Sequence, residues 1–563
     1  MPHPTTMPEC LAHLTTVPAE SERGLRFCFG REREDHAGVF LPWPVVARRI
    51  AGVAERLRAA GVNRGMVVAV HAHDQQVALL ALLGAMQIGA IPTALAPVGG
   101  GNAARLIDQF HAVLAVAQPH VLIVDRALPD EVITGHPALP TLVTLDDYRE
   151  ADPPPAIIVD PESPCFLQFT SGSTSIPKGV VVTHRMLLAN VDSLSAVLGW
   201  DAHGRCVGWL PIYHDMSLVG MYAMVVCKAA RGCFFPTSRF GRSPDLWLRL
   251  LAEEKAHFSA GPNFAFAMVA RYAARRPLTG LDLSHMRGLV CGSEPISPAI
   301  MQAFAAVTAP LGLQHAAIPA FGMAESTLMA SSCRPGQPLQ VTIVERQALE
   351  QDGLVRVVQA DRDDPQVLAL VGCGPAGPGM HVAIDRAGTL VGEGLVGEVL
   401  LAGPSILTRY WRNDTATAAA FVDHAGTRWF RTGDLGFLHA GHLHICGRAK
   451  DVIIHNGVNY YPADVEAALA RALPRLVKIA AVVDVRPDLS AEFIGLGVLF
   501  EGGAGLENVA ETEATVAAFV KDYTGLPVAR ALALAGGTHI PRTTSGKLMR
   551  PAIRDLLRGH IAR

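Results

Sequence analysis

Two textures of apolar residues alternate along the first third of the chain. Short β-branched runs at 66–72, 90–96 and 120–124 fill consecutive positions and predict strands buried on both faces. Longer Ala/Leu-rich stretches at 45–60, 77–89 and 103–117 carry apolar residues at helical spacing and predict helices. Strand–helix–strand alternation at this spacing implies a doubly wound parallel α/β sheet. The alternation returns between about 180 and 320, which predicts a second, similar sheet. From about 370 to 446 the runs shorten and glycine-rich turns separate them, as in Gly397-Glu398-Val399-Leu400-Leu401 and His442-Leu443-His444-Ile445. That texture predicts a small β-barrel or a distorted antiparallel unit. A boundary falls at Gly447-Arg448-Ala449-Lys450-Asp451, and the residues beyond it suffice for a separate small domain. The expected division is a body over 1–447 and a mobile α+β lid over 448–563.

Composition narrows the function classes. The chain has 563 residues, half of them hydrophobic and 18% charged, with a mean hydropathy of +0.27. Those values exclude a disordered chain. Forty-eight Lys and Arg against 51 Asp and Glu leave a net charge of −3, which argues against binding nucleic acid by neutralising its phosphates. A local site for a small anion stays open. The most apolar stretch, 77–98, is interrupted by Gln87, Pro92, Thr93 and Pro97, so it reads as a buried helix entering a buried strand and not as a membrane span. No basic segment followed by an apolar one opens the chain, so no secretory signal is expected. Ten scattered cysteines without a C-x-x-C pair predict reduced thiols in a cytoplasmic protein. His71-Ala72-His73-Asp74 follows a strand pattern and reads as a strand end, not a metal-ligand set.

The densest chemical signal is Phe166 to Val180. A strand-like run enters Thr170-Ser171-Gly172-Ser173-Thr174, then Pro177-Lys178-Gly179 leads into a second β-branched run. Backbone N–H groups in such a loop can ring a phosphate, the hydroxyls add donors, and Lys178 adds charge. The P-loop pattern G-x-x-x-x-G-K-[ST] does not occur. Further along come Tyr213-His214-Asp215-Met216, Gly292-Ser293-Glu294-Pro295, Phe321-Gly322-Met323-Ala324-Glu325, Arg431-Thr432-Gly433-Asp434, Gly447-Arg448-x-Lys450-Asp451 and Pro541-Arg542-Thr543-Thr544-Ser545-Gly546-Lys547. In content and order these motifs, the phosphate loop first, resemble those of the adenylate-forming superfamily over nearly the whole chain.

The resemblance implies ATP-dependent activation of a carboxylic acid to an acyl-adenylate, with pyrophosphate leaving. Both reactants are anionic, so positive charge has to bring them together. Lys547 looks like the family's lysine that bridges carboxylate and phosphate. Glu325 resembles the magnesium-associated glutamate, a hard oxygen ligand suited to Mg²⁺. Phe321 stands where the family usually has Tyr, so an aromatic face is kept for adenine and a hydroxyl is lost. Gly322 and Met323 continue that wall, and Gly292, Ser293, Glu294 and Pro295 resemble the opposite one. Asp434 resembles the carboxylate that holds the ribose hydroxyls. Arg448 is placed for ribose or phosphate, and Lys450 for the hinge.

Within the superfamily the strings resemble the fatty acyl-AMP ligase branch. Ala324 stands where many relatives have Thr. Forty-eight residues separate Glu325 from Gly374, roughly twice what many acyl-CoA synthetases need. The surplus, which includes 343–364, looks like the insertion that in this branch restrains the lid. His214 fits a plain carboxylic acid, since amino-acid-activating relatives carry Asp there. The implied acceptor is the phosphopantetheine thiol of a separate acyl carrier protein. Asn263 is expected to border the acyl pocket, whereas Met221 and Met224 read as core. Gly99-Gly100-Gly101 as a dinucleotide loop and Asp192-Ser193-Leu194 as a carrier attachment site both lack the required context. Two alternatives stay open: an acyl-CoA synthetase of the same fold, and a non-catalytic nucleotide-binding scaffold.

Overall fold

The computed structural model describes residues 3–98, 103–135, 139–170, 177–486, 492–503, 508–534, 538–543 and 547–561. Its first sheet is parallel throughout, in the order Ile91–Ala94, Val67–His71, Val121–Val124, Thr141–Thr144. Strand Val67–His71 is buried at every position, as its unbroken apolar run requires. Helix Gln75–Gln87 is buried almost all round, so it lacks the polar stripe of a surface helix. Asp74 caps it by accepting from the backbone N–H groups of Gln76 and Val77. Helix Trp43–Ala59 packs closely against it at Gly84, where a Cβ would lie 2.7 Å from the Val53 side chain. The apolar 77–98 stretch is therefore core, and among the described residues no helix is long and apolar enough to cross a membrane.

The second sheet has eight strands. From one edge they run Met329–Ser332, Ala317–Gly322, Gly288–Gly292, Phe258–Pro262, Arg205–Gly208, Arg231–Phe234, Gly24–Phe27 and Val39–Pro42. The interior strands are parallel and both edge strands antiparallel. The 180–320 pattern supplies most of this sheet. The two N-terminal strands joining its far edge carry no periodic signal of their own. Pro164–Thr170 and Lys178–Thr183 form an antiparallel hairpin packed beside the first sheet's edge strand Ile91–Ala94.

The antiparallel unit is a six-stranded sheet built on the long strand Thr427–His439. No ladder among the described residues closes it into a ring, so of the two forms expected the distorted antiparallel unit is the one realised. The segment after Glu325 folds as a hairpin, Val341–Glu345 against Val367–Val371, with a helical turn at Ala348–Asp352. Beyond Arg448, strands Val477–Asp484, Leu496–Gly502 and Val528–Leu534 form one small sheet. Helices Pro462–Ala472, Val509–Thr524 and Arg550–Ile561 cover it. Its apolar core, including Leu469, Val498, Phe500 and Val516, is separate from that of the preceding residues. All ten cysteines are free thiols.

Candidate active site

A cleft of about 2020 Å³ lies where the two large sheets, the antiparallel unit and the C-terminal sheet meet. Parallel strands end along one edge of a sheet, and connecting loops collect there, so such an edge is where an α/β protein builds a site. Thr170 and Lys178 face each other as the last pair of the hairpin, on either side of the hydroxyl-rich segment. Ser171, Gly172, Ser173 and Thr174 lie outside the described residues. Lys178 sits over the Tyr410 ring, 5.1 Å from its centroid. Gln168, two strand positions inward, donates to the Tyr213 carbonyl at 2.8 Å and ties the hairpin to the next motif.

The His214 turn is held by its own backbone, with the Ser217 and Leu218 N–H groups donating to the His214 carbonyl. His214 Nδ1 lies 3.3 Å from Asp215 Oδ1, which also accepts from the Met216 N–H at 2.7 Å. Burial raises the Asp215 pKa, but His214, the Lys547 charge and that N–H outweigh it and leave the group below the ordinary carboxylate range.

Two neighbouring helices have their N-termini knitted by side chains at the cleft. Glu294 accepts from the Phe264 N–H at 2.6 Å, and Asn263 Oδ1 accepts from the Ser297 N–H at 3.0 Å. Ser293 takes a left-handed conformation, φ 71°, at this junction. Ser293, Glu294 and Pro295 line the cleft. Gly292 lies one layer behind, where a Cβ would come 2.9 Å from the Ala320 carbonyl oxygen. Phe321, Gly322, Met323 and Glu325 line the facing wall. Gly322 has no room for a side chain, since a Cβ would lie 1.7 Å from the Leu328 carbonyl oxygen.

Glu325 is buried and accepts from the Tyr410 hydroxyl at 3.0 Å. Burial raises its pKa against the opposing effects of Tyr410 and Arg448. Asp434 and Arg448 face each other across adjacent strands and form an ion pair at 2.8 Å. Burial nevertheless keeps the Asp434 pKa raised, and the same holds for Glu294. Three carboxyls with raised pKa values in one cleft, Glu325 and Asp434 buried and Glu294 half-buried, form a site short of positive charge or of hydrogen-bond donors. Lys547 reaches this cleft from the C-terminal unit, and its charge acts on Asp215, Glu294 and Asp434. Five residues before Lys547, the Arg542 carbonyl accepts from Arg105 at 2.6 Å. Lys450 also lines the cleft, and burial lowers its pKa.

A model of the family described as AMP-binding enzyme matches residues 37–411. The chain belongs to the AMP-binding enzymes. Among curated relatives, the long-chain-fatty-acid–AMP ligase FadD26 of Mycobacterium tuberculosis is 33% identical over 541 residues, covering 91% of this chain and 90% of that protein. A putative acyl-CoA synthetase of Caulobacter vibrioides is 32% identical over 518 residues, covering 91% and 89%. Among solved structures, one from a study of fatty acyl-adenylate ligases of E. coli and L. pneumophila superposes with a TM-score of 0.84 at 27% identity, covering 99% of each chain. The fold is the mixed α/β arrangement of that protein, body and C-terminal unit together.

In this AMP-binding enzyme the cleft holds one residue that no sequence motif announced. Tyr410 both donates to Glu325 and lies under Lys178, yet it is 85 positions from the glutamate, beyond any local spacing pattern. Asp215 stands inside a recognised string, but only the folded geometry places its carboxylate beside His214 and within reach of the Lys547 charge. The donor set fits a magnesium ion. No group of three or more His, Cys, Asp and Glu residues forms a cage among the described residues. Mg²⁺ commonly takes one or two carboxylates and completes its shell with phosphate oxygens and water.

Proposed function

We propose that this enzyme activates a fatty acid as its acyl-adenylate and passes the acyl group to the phosphopantetheine thiol of a separate acyl carrier protein. The observation that carries this reading is Lys547, a residue of the C-terminal unit, set in one cleft with His214, Glu325 and Asp434. In the first step a carboxylate oxygen attacks the α-phosphorus of ATP, the bond to the bridging oxygen breaks, and pyrophosphate leaves. Lys547 offsets the repulsion between carboxylate and phosphate and stabilises charge as it redistributes. His214, its Nδ1 beside Asp215, presents Nε2 to the acid. Thr170 and Lys178 bracket the phosphate loop, which includes Ser171, Gly172, Ser173 and Thr174. Phe321, Gly322 and Met323 on one side, with Gly292, Ser293, Glu294 and Pro295 on the other, hold adenine. Asp434 accepts from the ribose hydroxyls, and Arg448 pairs with that carboxylate and opposes the effect of its burial. Glu325, oriented by Tyr410, would hold Mg²⁺, which supplies charge neutralisation at the phosphate oxygens when bound.

In the second step the thiol sulfur attacks the acyl carbonyl, the carbonyl–phosphate oxygen bond breaks, and AMP leaves with the thiol proton transferred to solvent. We assign residues 1–447 to a body and 448–563 to a lid that turns about Lys450 between the steps. The insertion supports the choice of acceptor. Arg346 crosses from it to the C-terminal unit, pairing with Asp464 at 2.5 Å and donating to the Tyr523 hydroxyl. A lid tethered in this way is hindered from opening to free CoA, the acceptor that the name of the Caulobacter relative suggests.

The test is one reaction set with purified enzyme, MgATP and a ladder of fatty acids. Pyrophosphate release, intact mass of an added holo carrier and acyl-CoA formation are followed in parallel. Acyl-carrier product with little acyl-CoA is expected; efficient acyl-CoA formation would make CoA the acceptor. ATP binding without release of pyrophosphate or AMP would leave only the scaffold reading.

A further inference from the structure

Helix Asn263–Ala273 leads away from the reaction centre with two distinct faces. Ala265, Phe266 and Val269 are buried in the core. The opposite stripe, Phe264, Ala267, Met268, Arg271 and Arg275, follows helical spacing and lines the cleft. The stripe is apolar for its first two turns and cationic beyond. Arg276, stacked over Tyr272, and Arg242, at the end of helix Thr237–Arg242, line the same region. All four arginines are exposed at the mouth of the cleft, and among the described residues none has a carboxylate within ion-pair distance. Desolvation, with Arg275 adding to it, holds the Arg271 pKa below the ordinary guanidinium value. Neighbouring like charges without a counter-ion repel one another, and an anion bound among them would relieve that repulsion while accepting charge-assisted hydrogen bonds.

The distance is informative. Eight residues at 1.5 Å each place Arg271 about 12 Å along the helix from Asn263. An extended chain advances roughly 1.2 Å per bond, so about ten bonds separate the two ends of the stripe. We propose that Arg271, with Arg242, Arg275 and Arg276 around it, binds an anionic group at the far end of the acid, making long-chain α,ω-dicarboxylic acids the preferred substrates. The proposal rests on the reading of this cleft as an acid-activating site. A second anion of related chemistry is the phosphate of the pantetheine arm, and the test separates the two.

Pyrophosphate release is measured with dodecanedioic acid and with dodecanoic acid, for wild type and for Arg271→Gln. Wild type is expected to favour the diacid by tenfold or more in kcat/KM, and R271Q to bring that ratio toward one. Where R271Q yields no folded protein, Arg275→Gln, one turn further out, replaces it. A wild-type ratio near one, or a ratio that the substitution leaves intact, overturns the proposal. So does a substitution that slows transfer to a holo carrier and spares the ratio, which would assign the arginines to the arm's phosphate. Pyrophosphate from neither these acids nor any other in the ladder would overturn the activity reading itself, a result distinct from an absent diacid preference.

Discussion

Replacing Arg346 by Ala tests the tether between insertion and lid. Arg346 forms ion pairs with Asp464 at 2.5 Å and Glu350 at 3.2 Å. It donates to the Pro365 and Val367 carbonyls, and its guanidinium stacks over Tyr523 at 4.8 Å. The side chains of Arg346 and Asp464 keep only 15% and 18% of their exposure. Removing one partner of a buried pair costs about 3–5 kcal/mol, chiefly because the other charge is stranded. Asp464 would still accept from the Tyr523 hydroxyl at 3.0 Å, so the lower end, about 3 kcal/mol, is expected. That corresponds to a roughly hundredfold shift from docked to undocked lid. Hydrogen exchange of helices Pro462–Ala472 and Val509–Thr524 reads the docking directly, and the acyl-CoA to acyl-carrier product ratio reads its consequence. Faster exchange at unchanged melting of the body, with more acyl-CoA, is expected. Exchange and product ratio both unchanged would refute the tether.

Glu350 makes the same contact pH-dependent: burial, with Asp464 adding, outweighs Arg346 and raises its pKa to about 7. A carboxyl raised in the docked state binds more protons there, so docking weakens as pH rises from about 4.5 to 7 and levels off above; Glu350→Gln should flatten the dependence of lid exchange over that window. Lys547→Ala should abolish acyl-AMP formation while sparing thioester formation from preformed acyl-AMP, and equal loss of both half-reactions would refute that division of labour. Tyr410→Phe removes a hydrogen bond to a charged group, worth about 1.5–3 kcal/mol, so a loss of at least tenfold in kcat/KM and a higher Mg²⁺ requirement are expected; an unchanged Mg²⁺ titration would count against Glu325 as the ligand.

The strand and helix runs of the first sheet were legible because each is a local periodicity. Predicted helix 103–117 matches Ala103–Ala117, and predicted strand 120–124 is realised as Val121–Val124. The joining of Gly24–Phe27 and Val39–Pro42 to the second sheet was not legible, since strand pairing across some two hundred residues leaves no local trace. Glu294 shows the same limit within a motif. Its string suggests a nucleotide wall, whereas the fold also turns its carboxylate onto the Phe264 N–H and so fixes the helix that carries Met268 and Arg271.

The sequence alone determined the order of chemical groups along the chain: a hydroxyl-rich loop before Lys178, an acid at 325, an Asp–Arg pair ahead of Lys450, and a lysine near the end. Order and residue type suffice for that because the chemistry needs particular groups in the site. Only the tertiary structure decided that Tyr410 orients Glu325, that Arg346 fastens the insertion to Asp464, and that a row of arginines lines one end of the cleft. Those are contacts between segments distant in sequence. Their energy depends on burial and angle, which exist only once the elements have packed.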